Sequence, residues 1–211
     1  MHKVGLILPA VVFLFMSACS SGPEPKKSAS STPAAEPVAK EEPIFTTGKP
    51  CFTRMVQQAQ RWSVDALPVH VESALNAESL GHDGKSTVWK GMFVSPSRGK
   101  LKTFSCSGSR LSDEPPVGIS ASAEFAAPPH VPMFHPSFLV TDSDKAFALT
   151  QEKGGAKLLE KDPQQPVVYL LDWDARRKQL VWVVVYGKSF KDAKGIGVID
   201  ASTGRFLRAS K

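Results

Sequence analysis

The sequence predicts an α+β fold with one or two units, each a helix packed on a small antiparallel sheet, after a disordered N-terminal linker. Two observations predict it. Apolar residues after position 45 recur first at helical spacing and then in alternation, as on the two faces of a strand. The same succession of patterns returns after residue 142, so we expect two α+β halves, 45–112 and 142–211.

The first half opens with a helix signal. The segment 46–50 suits a helix start, because threonine caps free N–H groups and proline fits the first turn. The helix should end before Pro68. Its apolar face should consist of Phe52, Met55, Val56, Ala59 and Trp62. Three strands should follow, over residues 69–75, 87–94 and 100–106.

The second half repeats this order. Asp142 is a helix-capping residue, and Gly154-Gly155 should end the helix that it starts. Trp182 would then occupy the place that Trp89 has in the first half, so the halves are either a duplication or units of similar outline. The strands should cover residues 167–171, 179–186 and 195–200, with a turn at 172–178.

The segment between the halves, 113–141, is rich in proline and has little periodicity. Proline lacks a backbone N–H and interrupts both helices and sheet ladders. We therefore expect an irregular crossover there.

The N-terminus reads as an export signal. Lys3 supplies a positive charge, and the apolar run Val4 to Met16 is too short for a membrane-spanning helix, which needs about 20 residues. Ser17-Ala18-Cys19 resembles the bacterial lipobox, although Met16 stands where that pattern usually has leucine. The alternatives are an uncleaved anchor and an ordinary signal peptide followed by an unrelated cysteine.

The lipobox resemblance implies that residues 1–18 are a signal peptide and that Cys19 is acylated, with palmitate among its chains, and becomes the first residue. Two or more acyl chains hold a protein firmly at a membrane. Ser20 follows the cysteine where an aspartate would favour retention at the inner membrane. The serine at this position favours an outer-membrane location, with the protein facing the periplasm.

Residues 19–44 are rich in Pro, Ala and Ser and hold no aromatic residue. Such a segment cannot bury enough apolar surface to offset its chain entropy, so we expect a disordered tether. With Cys19 lipidated, Cys51 and Cys106 remain in an oxidising compartment, where a disulfide is the default. The alternative is two buried free thiols.

The second half resembles a PepSY-type domain over about residues 142–208. The resemblance rests on the helix, the Gly-Gly pair, the strand Leu-Val-Trp-Val-Val-Val-Tyr at 180–186, and the closing Val-Ile-Asp-Ala-Ser-Thr-Gly-Arg at 198–205. It implies a helix on a small antiparallel sheet and a role in binding or restraining peptidases in the envelope.

A weak metal-site candidate is the pair His130 and His135 with Met133 between them, a ligand set suited to copper. The alternative is two histidines of a surface loop. Gly84-Lys85-Ser86 is like the end of a phosphate-binding loop but lacks the second glycine.

Paired carboxylates occur at Asp142 with Asp144 and at Asp172 with Asp174. We interpret both pairs as caps or turns, where aspartate is common. We therefore predict no enzyme and no cofactor. The net charge of +6 contains no long run of one sign, so no nucleic-acid partner is expected.

Basic residues cluster in the predicted turns, which are either solvated turns or a rim that faces an anionic partner. They are Arg98, Lys100, Lys102, Arg176, Arg177, Lys178, Lys188, Lys191 and Lys194.

The function expected from the sequence is that of a non-catalytic envelope lipoprotein that binds a peptide or protein partner, with restraint of a peptidase as one form of it. The alternatives are an assembly factor of an envelope complex and a metal-binding protein or enzyme that uses His130 and His135.

Overall fold

Eight strands form one continuous antiparallel sheet in the computed structural model, which describes residues 41–210. The predicted signal peptide, Cys19 and nearly all of the predicted tether lie outside the described residues. The described residues belong to one unit with its own hydrophobic core.

The helices are α1 (Gly48–Trp62), α2 (Ser143–Thr150) and α3 (Ala156–Lys161), and a π-helical turn, Gln151–Gly155, joins the last two. The strands of the first half are β1 (Thr46–Thr47), β2 (Leu67–Ser73), β3 (Lys85–Ser86), β4 (Val88–Ser95), β5 (Lys100–Ser107) and β6 (Gly118–Ala126). Those of the second half are β7 (Val167–Asp174), β8 (Gln179–Tyr186), β9 (Gly195–Asp200) and β10 (Phe206–Ser210).

The sheet order is β10-β9-β8-β7-β2-β4-β5-β6, and β1 pairs separately with β3. Each half contributes helical structure followed by four neighbouring strands. Strands β2 and β7 lie at the centre of the sheet, and β6 and β10 lie at its two edges. The halves meet where β2 pairs with β7, at His70 opposite Asp172 and Glu72 opposite Leu170. The α+β prediction is confirmed, but the two halves share one sheet.

The helices pack on one face of this sheet. Phe52, Met55 and Ala59 of α1 are buried, and Val56 and Trp62 pack against them, so the predicted apolar face is confirmed. The sheet side of the core contains mainly aromatic residues, namely Trp89, Phe93, Phe104, Tyr169, Trp182 and Tyr186.

Helices α1 and α2 begin at one point above the centre of the sheet. Asp142 Oδ1 accepts hydrogen bonds from the backbone N–H groups of Lys49 (2.8 Å) and Ser143 (2.7 Å), and Oδ2 accepts one from the Thr47 hydroxyl (2.6 Å). The N–H group of Gly48 donates to Ser143 Oγ at 2.8 Å. One carboxylate therefore caps the helix that follows it and a second helix far away in sequence.

Two tryptophans lie beneath this junction. Trp89 Nε1 donates to the carbonyl of Thr46 (2.9 Å), and Trp182 Nε1 donates to the carbonyl of Thr141 (2.8 Å). Their ring centroids are 6.1 Å apart, in an edge-to-face arrangement. A Cβ atom at Gly48 would lie 2.7 Å from the ring of Trp182, so the close approach requires glycine.

The prediction of an irregular crossover over 113–141 is wrong for part of its length. Residues Gly118–Ala126 form the edge strand β6, which pairs with β5. Its sequence is Gly-Ile-Ser-Ala-Ser-Ala-Glu-Phe-Ala, and most of it is exposed. Since little of β6 is buried, the apolar alternation that marks a half-buried strand is absent.

Two further boundaries differ from the prediction. Gly154 and Gly155 do not end the second helix, because Gly154, at φ +114°, lies in the π-helical turn and α3 continues to Lys161. The turn expected at 172–178 begins later, because β7 continues to Asp174. Asp172 is therefore a strand residue.

Cys51 and Cys106 form a disulfide between α1 and β5. The bond closes a loop with a sequence separation of 55 residues. In the chain-entropy model a loop of that length stabilises the fold by about 4 kcal/mol. Both cysteines are buried in the core, so the bond fixes the helix to the sheet from within.

Replacing Asp142 with alanine should lower the free energy of unfolding by about 2 kcal/mol, because it removes the caps of two helices at once. Urea unfolding of residues 20–211 measures this change. Asp142→Asn keeps an oxygen for the two backbone N–H groups and should cost less. Asp144→Ala is the matched control, since its exposed carboxylate bonds only the neighbouring Lys145 N–H. Equal losses for Asp142→Ala and Asp144→Ala would contradict the shared cap.

Candidate functional site

The predicted metal ligands lie in the segment between β6 and α2. His130 and His135 are exposed, and Met133 is 37% exposed. Phe134 between them is buried and stacks on Phe52 at a centroid distance of 6.0 Å, so it anchors the segment to the core. His135 Nδ1 shares a hydrogen bond of 2.7 Å with the Ser137 hydroxyl. Residues 41–210 contain no group of three His, Cys, Asp or Glu residues placed to hold a metal ion.

The segment that is like a phosphate-binding loop has a structural role. The Ser86 hydroxyl is buried and donates within the fold, to the carbonyls of Ala74 and Val88, both at 3.0 Å. Gly84 closes a short 3₁₀ turn and contacts Ser143 through its carbonyl, at 2.6 Å. No helix N-terminus follows this segment, so it has no helix dipole to hold a phosphate.

Several of the basic turn residues are bound to other parts of the protein. Arg98 forms an ion pair with Glu124 at 2.9 Å and lies over the ring of Trp62. Arg177 pairs with Asp174 at 2.8 Å. Asp174 Oδ1 also accepts hydrogen bonds from the backbone N–H groups of Arg176 and Arg177, as expected for an aspartate at a turn. The contacts of Arg98 and Arg177 therefore stabilise their own turns locally.

The face of the sheet opposite the helices is divided into two chemically different parts. Residues directly opposite one another on paired strands share a face, so the register identifies its members. On β7, β8 and β9 this second face is aliphatic, with Val168, Leu170, Val181, Val183, Val185, Ile196 and Val198. On β4, β5 and β6 it is mixed, and polar residues such as Lys90, Ser105, Ser107 and Ser120 stand among apolar ones such as Met92 and Val94.

A charged cluster lies on the second face where the halves meet. His70 Nδ1 is 2.7 Å from Asp172 Oδ1, and His70 Nε2 is 3.5 Å from Glu72 Oε2. Lys90 stands opposite Glu72 on β4. The sequence prediction missed this cluster, because it placed Asp172 in a turn and could not align β2 with β7.

The cluster holds His70 as an imidazolium. Burial lowers the pKa of His70, but the hydrogen bonds and charges of Asp172 and Glu72 outweigh it and raise the pKa to about 9. The hydrogen bond to His70 lowers the pKa of Glu72 in turn. Both ring nitrogens are engaged, so the arrangement joins the two halves and leaves no free nitrogen to act as a base.

Both edges of the sheet carry a strand that has only one partner among residues 41–210. The edge strand β6 has nine residues, of which Glu124 is the only charged one. The opposite edge strand, β10, has five residues and an irregular register between Phe206 and Arg208.

No protein-family model matches the chain, and no curated protein matches it. Among solved structures, the crystal structure of "a putative lipoprotein" from Clostridium difficile 630 is similar, with 10% identity and a TM-score of 0.39. The aligned part covers 76% of this chain and 91% of that chain. A likeness of this extent establishes neither a shared family nor a shared function. None of the helices in the described part of the chain is long and apolar enough to cross a membrane.

Replacing His70 with glutamine should change how stability depends on pH. The pKa of His70 is raised in the folded state, so its contribution is fully present below about pH 6.5 and is lost as the pH rises through about 9. Between pH 6 and pH 9.5 the wild type should therefore lose on the order of 2 kcal/mol more unfolding free energy than the variant. Urea unfolding at both pH values measures this.

The control for this measurement is His135→Gln, which removes an exposed loop imidazole and should retain the pH dependence of the wild type. If His70→Gln and the wild type lose the same free energy between the two pH values, the cluster does not hold a charged histidine.

Proposed function

We propose that the protein is a non-catalytic lipoprotein of the bacterial cell envelope, and that its folded domain binds an extended segment of a peptide or protein partner at the edge strand β6. The observation that carries this proposal is the open edge itself. Natural sheets usually protect an edge by shortness, proline or charge. The β6 strand has nine residues, no proline and one charge, and its protection is limited to that charge and a register shift against β5 near Thr103.

The physical basis is strand addition. An edge strand presents unpaired N–H and C=O groups, and an extended peptide can satisfy them as a further strand. Main-chain hydrogen bonds then supply affinity, and side chains next to the edge supply selectivity. The alanine and serine side chains of β6 are small and exposed, so they leave the approach to the backbone open.

The β6 strand is held rigidly enough to act as a template. It pairs with β5 on both sides of a register shift between Lys102 and Phe104, and β5 is fixed to α1 by the disulfide. At one end, Glu124 binds the Trp62 Nε1–H group (2.7 Å) and Arg98. A partner strand would therefore meet a preformed edge and would not need to order it, which lowers the entropic cost of binding.

The lipid anchor and the cellular location of the protein complete the proposal. Cys19 carries the lipid, residues 19–44 form the tether, and the domain faces the periplasm from the outer membrane. The PepSY-like character of the second half suggests a peptidase as one class of partner.

A crosslinking experiment in the native host tests the binding site. A photo-crosslinking amino acid at Ala123, an exposed residue of β6, should form adducts with a partner of defined mass. The same residue at Val64, which is 92% exposed in the loop after α1, is the control and should give no adduct of that mass. Ser122→Lys on the Ala123 background should reduce the adduct, because a charge at the edge opposes strand addition.

Three outcomes of the crosslinking experiment support or refute a partner site at β6. An adduct at position 123 that Ser122→Lys removes supports the proposal, and a peptidase in it would support the restraining role. Equal adducts at 123 and 64 refute a site at this edge. An adduct with twice the mass of the chain shows that the edge joins two copies, which contradicts binding of a different partner.

The anchor is tested separately by labelling cells with radioactive palmitate. The wild-type chain should incorporate the label and fractionate with the outer membrane, because the thiol of Cys19 is the acylated group. Cys19→Ser should remove both properties, whereas Cys51→Ser with Cys106→Ser should retain the label. Label in the Cys19→Ser variant would contradict the lipid anchor.

A further inference from the structure

A groove of about 330 Å³ lies at the other end of the sheet from β6, between the π-helical turn and the outer strands β9 and β10. Its volume is at the lower end of the range for small-molecule pockets. Neither the sequence motifs nor the proposed partner site involves it.

The groove exists because the helix cover stops short of the sheet edge. Two helix-facing positions of β9 are glycines, and the helices lie directly on them. A Cβ atom at Gly197 would lie 2.2 Å from Thr150 Cγ2, and one at Gly195 would lie 2.7 Å from Leu158 Cδ1. Beyond this contact, Phe206 and Ala209 of β10 continue the sheet without a helix above them.

The lining of the groove is mainly apolar and its formal charges are all positive. Leu158, Phe206 and Ala209 supply apolar surface. Lys153 and Lys194 are its charged residues, both are exposed, and the ion pairs found among residues 41–210 involve neither of them.

The one phenol in the groove is fixed and neutral. Tyr186 Oη accepts a hydrogen bond from Gln151 Nε2 at 2.6 Å and shares another with Thr150 Oγ1 at 2.8 Å. Burial raises the pKa of Tyr186, so the phenol adds no negative charge at physiological pH. The groove therefore combines an apolar lining with two ammonium groups.

We propose that this groove binds a small amphiphilic anion, a single short aliphatic chain that ends in one carboxylate. The chain would lie against the apolar lining, and the carboxylate would reach Lys153 and Lys194. The positive charges disfavour a cationic ligand. The volume suits one short chain better than a lipid with two long chains. This site is independent of the partner site at β6, so either can be refuted alone.

Calorimetric titration of octanoate into residues 20–211, at pH 7 and low ionic strength, tests the proposal. We expect saturable binding with one site. Lys153→Met with Lys194→Met should weaken it about tenfold or more, as expected for the loss of charge-assisted hydrogen bonds. Ala209→Phe should abolish binding by filling the groove. The matched control is Lys157→Met, which removes an exposed lysine of α3 that does not line the groove.

Related probes separate the contributions of the chain and the charge. Acetate has the charge without the chain and octylammonium has the chain with the opposite charge, so both should bind at least about tenfold more weakly than octanoate. Thermal unfolding establishes that each variant is folded. Absence of saturable octanoate binding to the wild type, equal binding of octylammonium, or unchanged binding in the double lysine variant would each overturn the proposal.

Discussion

Two helices of this protein begin at the same place, and the carboxylate of Asp142 lies between their first turns. The first N–H groups of a helix have no partner inside the helix, and they give its N-terminus a partial positive charge. Two such ends that meet would repel each other and leave buried donors unsatisfied. An anion between them removes both costs, so the meeting point requires an aspartate or a close equivalent.

The position of the tryptophans depends on this junction. Trp89 and Trp182 each donate to the carbonyl of the residue before a helix-capping residue, so the indoles connect β4 to the start of α1 and β8 to the start of α2. The two rings then touch each other across the centre of the sheet. The junction thereby fixes where the helices lie and how the two halves of the sheet are aligned.

The alignment of the halves creates the charged cluster on the second face. Once Val71 stands opposite Leu171 in the core, His70 must stand opposite Asp172 on the other side of the sheet. Successive residues of a strand point to opposite faces, so the apolar and the charged pairs are consequences of one register. A slip by one residue would place His70 in the aromatic core, and the unpaired charge would be costly there.

The sequence could predict the features that depend on local patterns. The apolar face of α1 and the strands between clear turn signals follow from spacing within a few residues, and these predictions are confirmed. The role of Asp142 as a cap of its own helix was also predictable, but its bond to Lys49, 93 positions earlier, was not. The pairing of His70 with Asp172, 102 positions apart, could not be predicted either, because it too joins distant parts of the chain. Strand β6 escaped prediction because an exposed edge needs no apolar alternation.

The two halves have the same order of strands. The edge strands β6 and β10 therefore occupy equivalent positions at the two ends of the sheet. A protein with two open edges of the same kind could add strands at both and extend into a fibre, as heterologous contacts that do not close will do. The edges of this protein differ. Both edge strands have an irregular register, but β10 is short and Arg208 stands near its middle, whereas β6 is longer and nearly uncharged. Under the proposed strand addition β6 is therefore the favoured edge, whereas the β10 edge borders a groove of different chemistry.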